Sequence, residues 1–594
     1  MDVEVSILRE HLTYLYGQEI AEPALVRLLK LLERFARERF APKNPPCDPS
    51  DDVIRRDRVR ATERDAILIT YADIVQDEGI VGLKSLNTFL DRYIAGSIST
   101  VHLLPFFPFS SDDGFSVIDY RAVDQPLGDW SDISQIGSDY RLMFDAVINH
   151  VSSRSEWFQG FLGNVAPYHK YFIVVPEGTD LSAVFRPRAL PLLTPVESSS
   201  GRKNVWSTFS ADQIDLDFGN PDVLLEIIDV LLDYVSKGAE FIRLDAIAYL
   251  WKEPGTSCIH LPQTHRVIQL FRSVLDMVAP GVSLITETNV PHKDNVSYFG
   301  DGNNEAQLVY NFTLPPLLLH TFHCGQATAL SEWADSLSAP SDQTTFFNFT
   351  ASHDGIGVLP ARDLLGKDAF EAMASHIESL GGYVSYKSNP DGSRSPYELN
   401  MNYLDALGPL GHVQESSELI SKRFLASQAI MLALKGLPGI YFHSLVGSRG
   451  WNEGAEASGR PRTINREKLD RKNLEEELSN SSSLRHHVFH GYIRLLKCRA
   501  GISAFDPFGD QQVLKINQSL FAVLRTRKGD SSRVLCLHNV SPKKRRITLG
   551  TEAIGFDQAS YIRDVVSGRE FRPNSTGRFD LTFDPYDFFW LVAA

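Results

Sequence analysis

The sequence contains no run of about 18 consecutive apolar residues, which is the length that a membrane-spanning helix needs. Its first residues, MDVEVSILREHL, lack the basic segment and the apolar segment of a secretory signal. The five cysteines are odd in number, widely scattered and free of any C-x-x-C pair, so neither a disulfide framework nor a zinc site is indicated. These absences predict a soluble, cytoplasmic protein with reduced thiols.

Basic residues are also fewer than acidic ones: the chain has 59 Lys and Arg and 74 Asp and Glu, which gives a net charge of −15. Phosphate backbones and anionic membrane surfaces select for an excess of Lys and Arg, so neither nucleic acid nor a membrane is expected as a partner. The length of 594 residues and the apolar content of 43% predict one large domain with appended pieces. The sequence does not fix the oligomeric state, and a homodimer is among the expected states.

Eight short apolar runs alternate with helical patterns along the chain. They are AILITYAD (66–73), TVHLLPFF (100–107), LMFDAVINH (142–150), FIRLDAI (241–247), SLITETN (283–289), QLVYNF (307–312), TFFNFTASHD (345–354) and PGIYFHS (438–444). One intervening helix has clear end signals, since Asn220 can cap it, Pro221 can open it and Gly238 can end it. This alternation predicts an α/β fold, a parallel (β/α)8 TIM barrel.

Further segments flank or interrupt the barrel, which we assign to residues 61–150 and 206–500. Residues 1–60 predict an N-terminal helical extension, with Leu25, Leu28, Leu29 and Leu32 on one face. Two gaps are too long for simple crossovers, an inserted domain over 151–205 and a loop-rich insertion over 360–430 between strands 7 and 8. Short alternating runs over 501–594 predict a C-terminal β-sheet domain.

Four of the strand runs end in carboxylate, His or Asn side chains: DAVINH, RLDA, ITETN and ASHDGIG. Arg243 and Asp245 lie two apart in an extended segment, so their side chains share a face. Such a pair is by itself compatible with a structural ion pair. Polar groups at the carboxyl ends of successive barrel strands are typical of the active face of a (β/α)8 barrel.

These four stretches resemble, in order and spacing, the signature regions of the α-amylase superfamily. More narrowly, RLDAIAYLWKEPGTSCIH, RPRALPLLTP and SHDGIG are similar to the sucrose-phosphorylase subfamily, and the resemblance is greatest to its glucosylglycerate phosphorylases. It extends from about Asp65 to the C-terminus. The resemblance implies that the insertion over 151–205 is the small domain B of that superfamily.

The resemblance also implies three roles for the carboxylates at the strand ends. Asp245 would be the nucleophile, Glu287 the general acid and base, and Asp354 the residue that holds sugar hydroxyls. Retaining glycoside transfer needs the first two roughly 5–5.5 Å apart. We expect Arg243 to keep Asp245 ionised, because a nearby cation lowers the pKa of a carboxyl group, and we expect Glu287 to remain protonated.

Other residues are predicted to bind the glucosyl group. His150 and His353 suit neutral hydrogen bonding to hydroxyls, although a core position or a metal site are alternatives for an isolated histidine. Asp112 matches the position that clamps the far side of the ring in the superfamily, with Asp113 as the other reading. Phe115 offers an apolar platform, and Arg466 resembles an arginine near the same hydroxyls.

The acceptor and phosphate side is predicted from cations and hydroxyls, since phosphate and carboxylate are bound by Arg, Lys and hydrogen-bond donors. Arg186, Arg188, Tyr249 and Tyr397 are candidates, and Tyr397-Glu398 lies where the chain departs from sucrose phosphorylases. The segment VPHKDN places His292 and Lys293 after Glu287, and these cations suit the carboxylate of glycerate.

We expect no essential metal and no cofactor. Asn149 and DQIDLDFGNP (212–221) are similar to the calcium-linked region of α-amylases, but calcium takes six to eight oxygen ligands. The predicted function is that of a retaining phosphorylase that uses inorganic phosphate to cleave an α-glucoside, foremost glucosylglycerate. Sucrose, sucrose 6′-phosphate or glucosylglycerol phosphorylase, an α-glucosidase or transglucosidase, and a non-enzymatic amylase-like subunit are the alternatives.

Overall fold

Eight parallel strands close into a barrel at the centre of the computed structural model, which describes residues 2–40, 60–187, 190–388, 393–409, 415–551, 555–556 and 559–593. The strands are β1 Ile67–Thr70, β2 Thr100–Leu103, β3 Arg141–Ala146, β4 Ala239–Leu244, β5 Ser283–Thr286, β6 Leu308–Tyr310, β7 Thr345–Asn348 and β8 Leu437–Tyr441. Neighbours in the chain are neighbours in the barrel, and β8 closes the ring against β1. The predicted barrel and its eight strands are confirmed.

Helices follow the strands and pack outside them. The helix before β4, Pro221–Ser236, begins as predicted, because the Asn220 side chain accepts a hydrogen bond from the backbone N–H of Asp222. Gly238 follows its end with a φ of +100°, a conformation that favours glycine. Apart from this helix, and from the N-terminal helices and the helix of the first insertion, which are described below, the helices longer than one turn in the described residues are Gly82–Tyr93, Trp130–Gly137, Pro262–Val278, His292–Val296, Leu314–Cys324, Thr328–Ser336, Lys367–Ser379, Ser417–Ala433, Asn452–Ser458, Arg471–Ser479 and Leu484–Ala500.

Two N-terminal helices, Asp2–Tyr16 and Gln18–Phe40, pack on the barrel helices Pro221–Ser236 and Pro262–Val278. Their leucines at one face are buried, namely Leu8, Leu12, Leu25, Leu28 and Leu32. Arg27 and Arg34 pair with Asp222 and Asp229 of the barrel helix at the edge of this contact. The extension is therefore fixed to the barrel by an apolar stripe with charged margins.

The first insertion follows β3. It contains a helix, Glu156–Leu162, a hairpin of Leu193–Ser198 and Gly201–Trp206, and a strand His150–Ser152 that pairs with Gln213–Asp215. A small apolar cluster around Trp206 gives this insertion its own core. The insertion stands beside the carboxyl end of the barrel, because His150 and Gln213 both face the cavity there.

The second insertion follows β7 and forms a three-stranded antiparallel sheet of Ile356–Gly357, Arg394–Asn400 and Tyr383–Ser388. Its register shifts at one place, where Ser385 pairs with Glu398 and Tyr386 with Pro396. Tyr397 is therefore the extra residue of a β-bulge. Bulges re-aim side chains, and this one directs both Tyr397 and Glu398 into the barrel cavity.

The C-terminal part is a β domain, as predicted. One sheet has six strands in the order Asp510–Val513, Leu520–Thr526, Arg533–Asn539, Phe588–Ala593, Ile562–Asp564 and Glu570–Phe571, and a second pairs Arg545–Leu549 with Phe579–Phe583. An apolar cluster that includes Leu535, Phe579 and Phe589 lies between them. Within the residues that the structure describes, no helix is long and apolar enough to cross a membrane.

Candidate active site

An open cavity lies at the carboxyl ends of the barrel strands. Three of its wall residues follow strands directly or closely: Asp245 follows β4, Glu287 follows β5 and Asp354 lies beyond β7. The remaining wall residues are Asp112, Phe115, His150, Pro187, Phe209, Gln213, Ala246, Ala248, Tyr249, Thr288, Asn289, Val290, Phe312, His353, Gly355, Tyr397, Glu398 and Arg462. The structure thus brings all three predicted carboxylates into one cavity.

A buried cation forms the floor beneath two of these carboxylates. The Arg243 side chain is 3% exposed; its Nη1 donates to Oδ1 of Asp245 at 2.9 Å and also to Asp145. Its Nη2 lies 3.9 Å from Oε1 of Glu287. Asp145 is held in turn by His102, whose Nε2 lies 2.7 Å from Oδ2. Arg243 is therefore fixed by Asp145 and is closer to Asp245 than to Glu287.

The pKa values of Asp245 and Glu287 are both raised. Burial raises the pKa of Asp245 well above its usual value, Arg243 opposes this, and the charge of Glu287 adds to it. Burial likewise raises the pKa of Glu287, against the influence of Arg243. Arg243 does lower the pKa of Asp245, as expected, but our expectation of a net lowered pKa is wrong, because the loss of water around the carboxylate outweighs this one cation. The two carboxyl groups titrate as a pair.

The pKa of Asp354 is shifted in the opposite direction, downwards. Its Oδ1 lies 2.5 Å from Nη1 of Arg462 and 3.5 Å from Nη2 of Arg466, and its Oδ2 lies 3.6 Å from Nε2 of His353. Burial alone would raise the pKa of Asp354, but Arg462 and the other nearby cations lower it below its usual value. Asp354 is therefore ionised at neutral pH, in contrast to the pair formed by Asp245 and Glu287.

The two predicted histidines are buried in the cavity wall. The His353 ring stacks on Phe115 with centroids 4.7 Å apart and planes 7° from parallel. Nε2 of His150 lies 2.9 Å from the backbone oxygen of Phe115. Burial lowers the pKa of His353 to about 3 and lowers that of His150 as well. Both imidazoles are neutral at pH 7, and neither belongs to a group of metal ligands in the described part of the chain.

Asp112 and Asp113 both contact Arg466 but differ in their position relative to the cavity. Asp112 lines the cavity, whereas Asp113 is 41% exposed at its side chain and accepts from Nη1 of Arg466 at 2.5 Å. Both have φ near +50°. Gly114 completes this turn, where a Cβ would meet the backbone oxygen of Pro105 at 2.5 Å. The structure therefore places Asp112 at the cavity, with Arg466 behind it.

Only some of the residues predicted for the acceptor side line the cavity. Tyr249, Tyr397 and Glu398 line the cavity. Arg186 is exposed and lies outside the cavity wall, although its neighbour Pro187 is part of it. Arg188 lies outside the described residues.

His292 and Lys293 differ from our expectation, because neither lines the cavity. The short helix His292–Val296 turns the imidazole of His292 onto Phe346, with ring centroids 6.0 Å apart, and leaves Lys293 exposed. Phe346 lies on the outer face of β7, since the next residue, Phe347, packs on Tyr310 inside the barrel. Packing on that outer face draws His292 away from the acceptor side.

The sequence reading missed Arg462, which is the only Lys or Arg among the described wall residues. Arg462 bridges Asp354 and Glu398, with Nη2 2.8 Å from Oε1 of Glu398. Phe209, Gln213, Asn289 and Phe312 were also missed. Arg462 lies in PRTINR, four residues before the predicted Arg466, and this second arginine was the available signal.

Lys252 occupies the region that resembles a calcium site. Its side chain is 1% exposed, and its Nζ lies 2.6 Å from Oδ2 of Asp215 and 2.7 Å from Oδ1 of Asn149. Asp215 also accepts from the backbone N–H and the hydroxyl of Thr208. The ammonium group therefore supplies the positive charge that these oxygens need, and it ties the first insertion to the loop after β4.

Comparison with known proteins agrees with this architecture. Residues 90–355 match the α-amylase catalytic domain. The chain is 46% identical to a glucosylglycerate phosphorylase of Spirochaeta thermophila over 99% of this chain and 98% of that protein, and 42% identical to one of Escherichia coli over 98% and 99%. The crystal structure of sucrose 6F-phosphate phosphorylase from Thermoanaerobacter thermosaccharolyticum matches with a TM-score of 0.71 and 23% identity over 88% of this chain and 99% of that one. The chain belongs to the glucosylglycerate phosphorylase family, within the α-amylase superfamily.

Proposed function

We propose that the protein is a retaining phosphorylase that transfers the glucosyl group of glucosylglycerate to inorganic phosphate and releases glycerate and α-glucose 1-phosphate. The observation that carries this proposal is the pair of buried carboxyl groups, Asp245 and Glu287, above the fixed cation Arg243. The substrate is assigned from the relatives, which are glucosylglycerate phosphorylases and match this chain along nearly their whole length.

In the first step, Asp245 attacks the anomeric carbon while Glu287 gives its proton to the departing oxygen of glycerate. The pair needs one proton for this, and it must be on Glu287. Arg243 favours that arrangement, because its guanidinium is 2.9 Å from Asp245 and 3.9 Å from Glu287. The backbone N–H of Ala246 donates to Oε2 of Glu287 at 3.0 Å and fixes the acid.

In the second step, an oxygen of phosphate attacks the anomeric carbon and Asp245 leaves. The carboxylate of Glu287 accepts the proton that hydrogen phosphate loses, so the enzyme returns to its starting state. Two inversions at the same carbon retain the α configuration.

The glucosyl group is held between opposite charges and neutral donors. Asp354, which is ionised, and Asp112 accept from hydroxyl groups, with Arg462 and Arg466 fixing the two side chains from behind. His150 and His353, both neutral, donate and accept in the ring planes. This set of contacts is suited to hold the ring as it distorts toward the transition state.

We assign the acceptor side to Arg462, Tyr249 and Tyr397 in place of His292 and Lys293. Arg462 is 25% exposed at its side chain and retains N–H groups beyond those used by Asp354 and Glu398. A guanidinium in this position can bind either phosphate or the carboxylate of glycerate. The two anions occupy the same side in the two directions of the reaction.

Phosphorolysis is tested by incubating the enzyme with glucosylglycerate with and without phosphate. We expect phosphate-dependent α-glucose 1-phosphate, identified by NMR on fresh product. Glucose formed at the same rate without phosphate would show a hydrolase, and a β-phosphate would contradict the two-step mechanism. Sucrose, sucrose 6′-phosphate and glucosylglycerol serve as alternative donors, and a higher kcat/KM for one of them would change the substrate assignment.

We further propose a cytoplasmic location, because the four cysteines in the described part of the chain, Cys258, Cys324, Cys498 and Cys536, are all free thiols. Light scattering on the purified protein tests the homodimer that we include in the proposal.

A further inference from the structure

A second large cavity lies behind the second insertion, away from the carboxylates. Its wall contains three cations, Arg362, Lys367 and Lys387. An apolar part is formed by Val358, Leu359, Leu365, Phe370 and Pro396, and the hydroxyl groups of Ser393 and Ser395 complete the wall with Gly366. The cavity therefore has one charged side and one apolar side, which suits a small organic anion.

Two of the three cations of this cavity have no ion pair within the described residues. Lys367 lies 3.4 Å from Glu371 on its own helix. Neither Arg362 nor Lys387 has a carboxylate within ion-pair distance among them. Burial lowers the pKa of the half-buried Lys387, and the charge of Arg362 lowers it further. Among the described residues these two neighbouring cations have no anion, in a chain whose net charge is −15, and a bound anion would stabilise them.

The start of a helix adds donors on the same side. The 13-residue helix Lys367–Ser379 begins at the cavity, and no side chain caps its first turn. Uncapped N–H groups at a helix start favour anions. Arg362, Lys387 and these N–H groups exceed what one carboxylate uses, whereas a phosphate monoester carries close to two negative charges and three acceptor oxygens.

The cavity is connected to the active site through the bulge at Tyr397. Ser395 and Pro396 line the second cavity, and the next two residues, Tyr397 and Glu398, line the active site. The backbone N–H of Val358, in the second cavity, donates to the backbone oxygen of Tyr397 at 3.1 Å. A ligand that moves this strand also moves Tyr397 and Glu398.

We propose that this second cavity binds a small phosphate monoester and that the bound ligand alters acceptor binding through Tyr397 and Glu398. The site is separate from the proposed active site, and its binding test does not depend on the proposed activity. The effect on acceptor binding rests on the proposed function.

Binding is measured by titration calorimetry with 3-phosphoglycerate and glucose 6-phosphate; inorganic phosphate and glycerate are the matched probes that lack the carbon body or the phosphate. The measurement is repeated with Asp245→Asn loaded with glucosylglycerate, so that the active site is filled. The variant is Arg362→Gln/Lys387→Gln, and the control is Lys472→Gln/Arg494→Gln, which removes two exposed charges elsewhere. Lys387→Arg tests whether the charge alone suffices.

We expect the monoesters to bind both to the wild type and to the Asp245→Asn protein whose active site is filled. The Arg362→Gln/Lys387→Gln variant should bind them at least about tenfold more weakly than the wild type. The control and Lys387→Arg should bind within about twofold of the wild type. No binding to the wild type, loss of binding when the active site is filled, or equal weakening in the control would overturn the site.

The effect on the active site is measured separately, as the KM for glycerate in the synthetic direction with and without the monoester. We expect a change in the wild type and none in the Arg362→Gln/Lys387→Gln variant, whose kcat without ligand should stay within about twofold of the wild type. An unchanged KM in the wild type, with binding intact, would refute the connection through Tyr397.

Discussion

Replacement of Lys252 by Met should destabilise the protein at the junction of the first insertion and the barrel. Met keeps most of the aliphatic stem but removes the ammonium, so Asp215 is left as a buried carboxylate without a cation. Removing one partner of a buried ion pair costs about 3–5 kcal/mol. Asp215 retains donors from Thr208 at 2.8 and 2.6 Å and from Nδ2 of Asn149 at 3.0 Å. We therefore expect the free energy of unfolding to fall by the low end of this range, about 3 kcal/mol.

The assay is urea unfolding followed by fluorescence, with exposed Lys472→Met as the control. The double variant Lys252→Met/Asp215→Asn should recover most of the loss, because no charge then remains buried. A loss below about 0.5 kcal/mol for Lys252→Met, which is the range of an ordinary surface change, would refute the reasoning. EDTA should leave the wild-type unfolding curve unchanged, since the ammonium fills the position between Asn149 and Asp215; a destabilising effect of EDTA would contradict this.

Three further predictions concern the active site. Asp245→Asn should retain the fold by circular dichroism and lose at least about 10²-fold in glucose 1-phosphate formation, because an amide is a poor nucleophile; a variant with more than about a hundredth of wild-type activity would contradict the role. The wild-type kcat/KM for glucosylglycerate should fall as pH rises through the raised pKa of the carboxyl pair, since Glu287 must be protonated. Glu287→Gln should abolish this fall at high pH and should lose less activity toward α-glucosyl fluoride, whose leaving group needs less protonation, than toward glucosylglycerate. Equal losses of activity for the two donors would argue against an acid role. Arg462→Gln should lower kcat/KM for glycerate roughly ten- to a hundredfold more than for glycerol, which lacks the carboxylate, whereas Lys293→Gln should change the ratio of the two acceptors by less than about twofold; the reverse order would restore Lys293 to the acceptor side.

The sequence sufficed for the barrel because each strand is a compact apolar run and the polar residues follow it directly. Asp245 and Glu287 could be placed for that reason, since strand ends meet at one edge of a parallel barrel. Arg462 could not, because it reaches Asp354 across more than a hundred residues of chain from a short turn, Pro461–Asn465, with no periodic pattern. Such a contact depends on tertiary packing.

Two predictions failed where burial decided the result. His292 was assigned to the acceptor by its proximity to Glu287 in the chain, but the aromatic surface of Phe346 determines its orientation. For Asp245, the cation Arg243 was placed correctly, and the loss of water was underestimated, so the direction of the pKa shift was wrong. Sequence shows which charges are near each other along a strand; it does not show how much solvent remains around them.

The N-terminal helices have a consequence for synthesis on the ribosome. They emerge before their partners, because their buried leucines pack on helices that end at residues 236 and 278. At translation rates of about 5–20 residues per second, the second helix waits roughly 10–50 s for these partners. During that time an apolar stripe is exposed, so the nascent chain is a natural client for a chaperone, and slow codons between residues 40 and 278 should increase its aggregation in the cell.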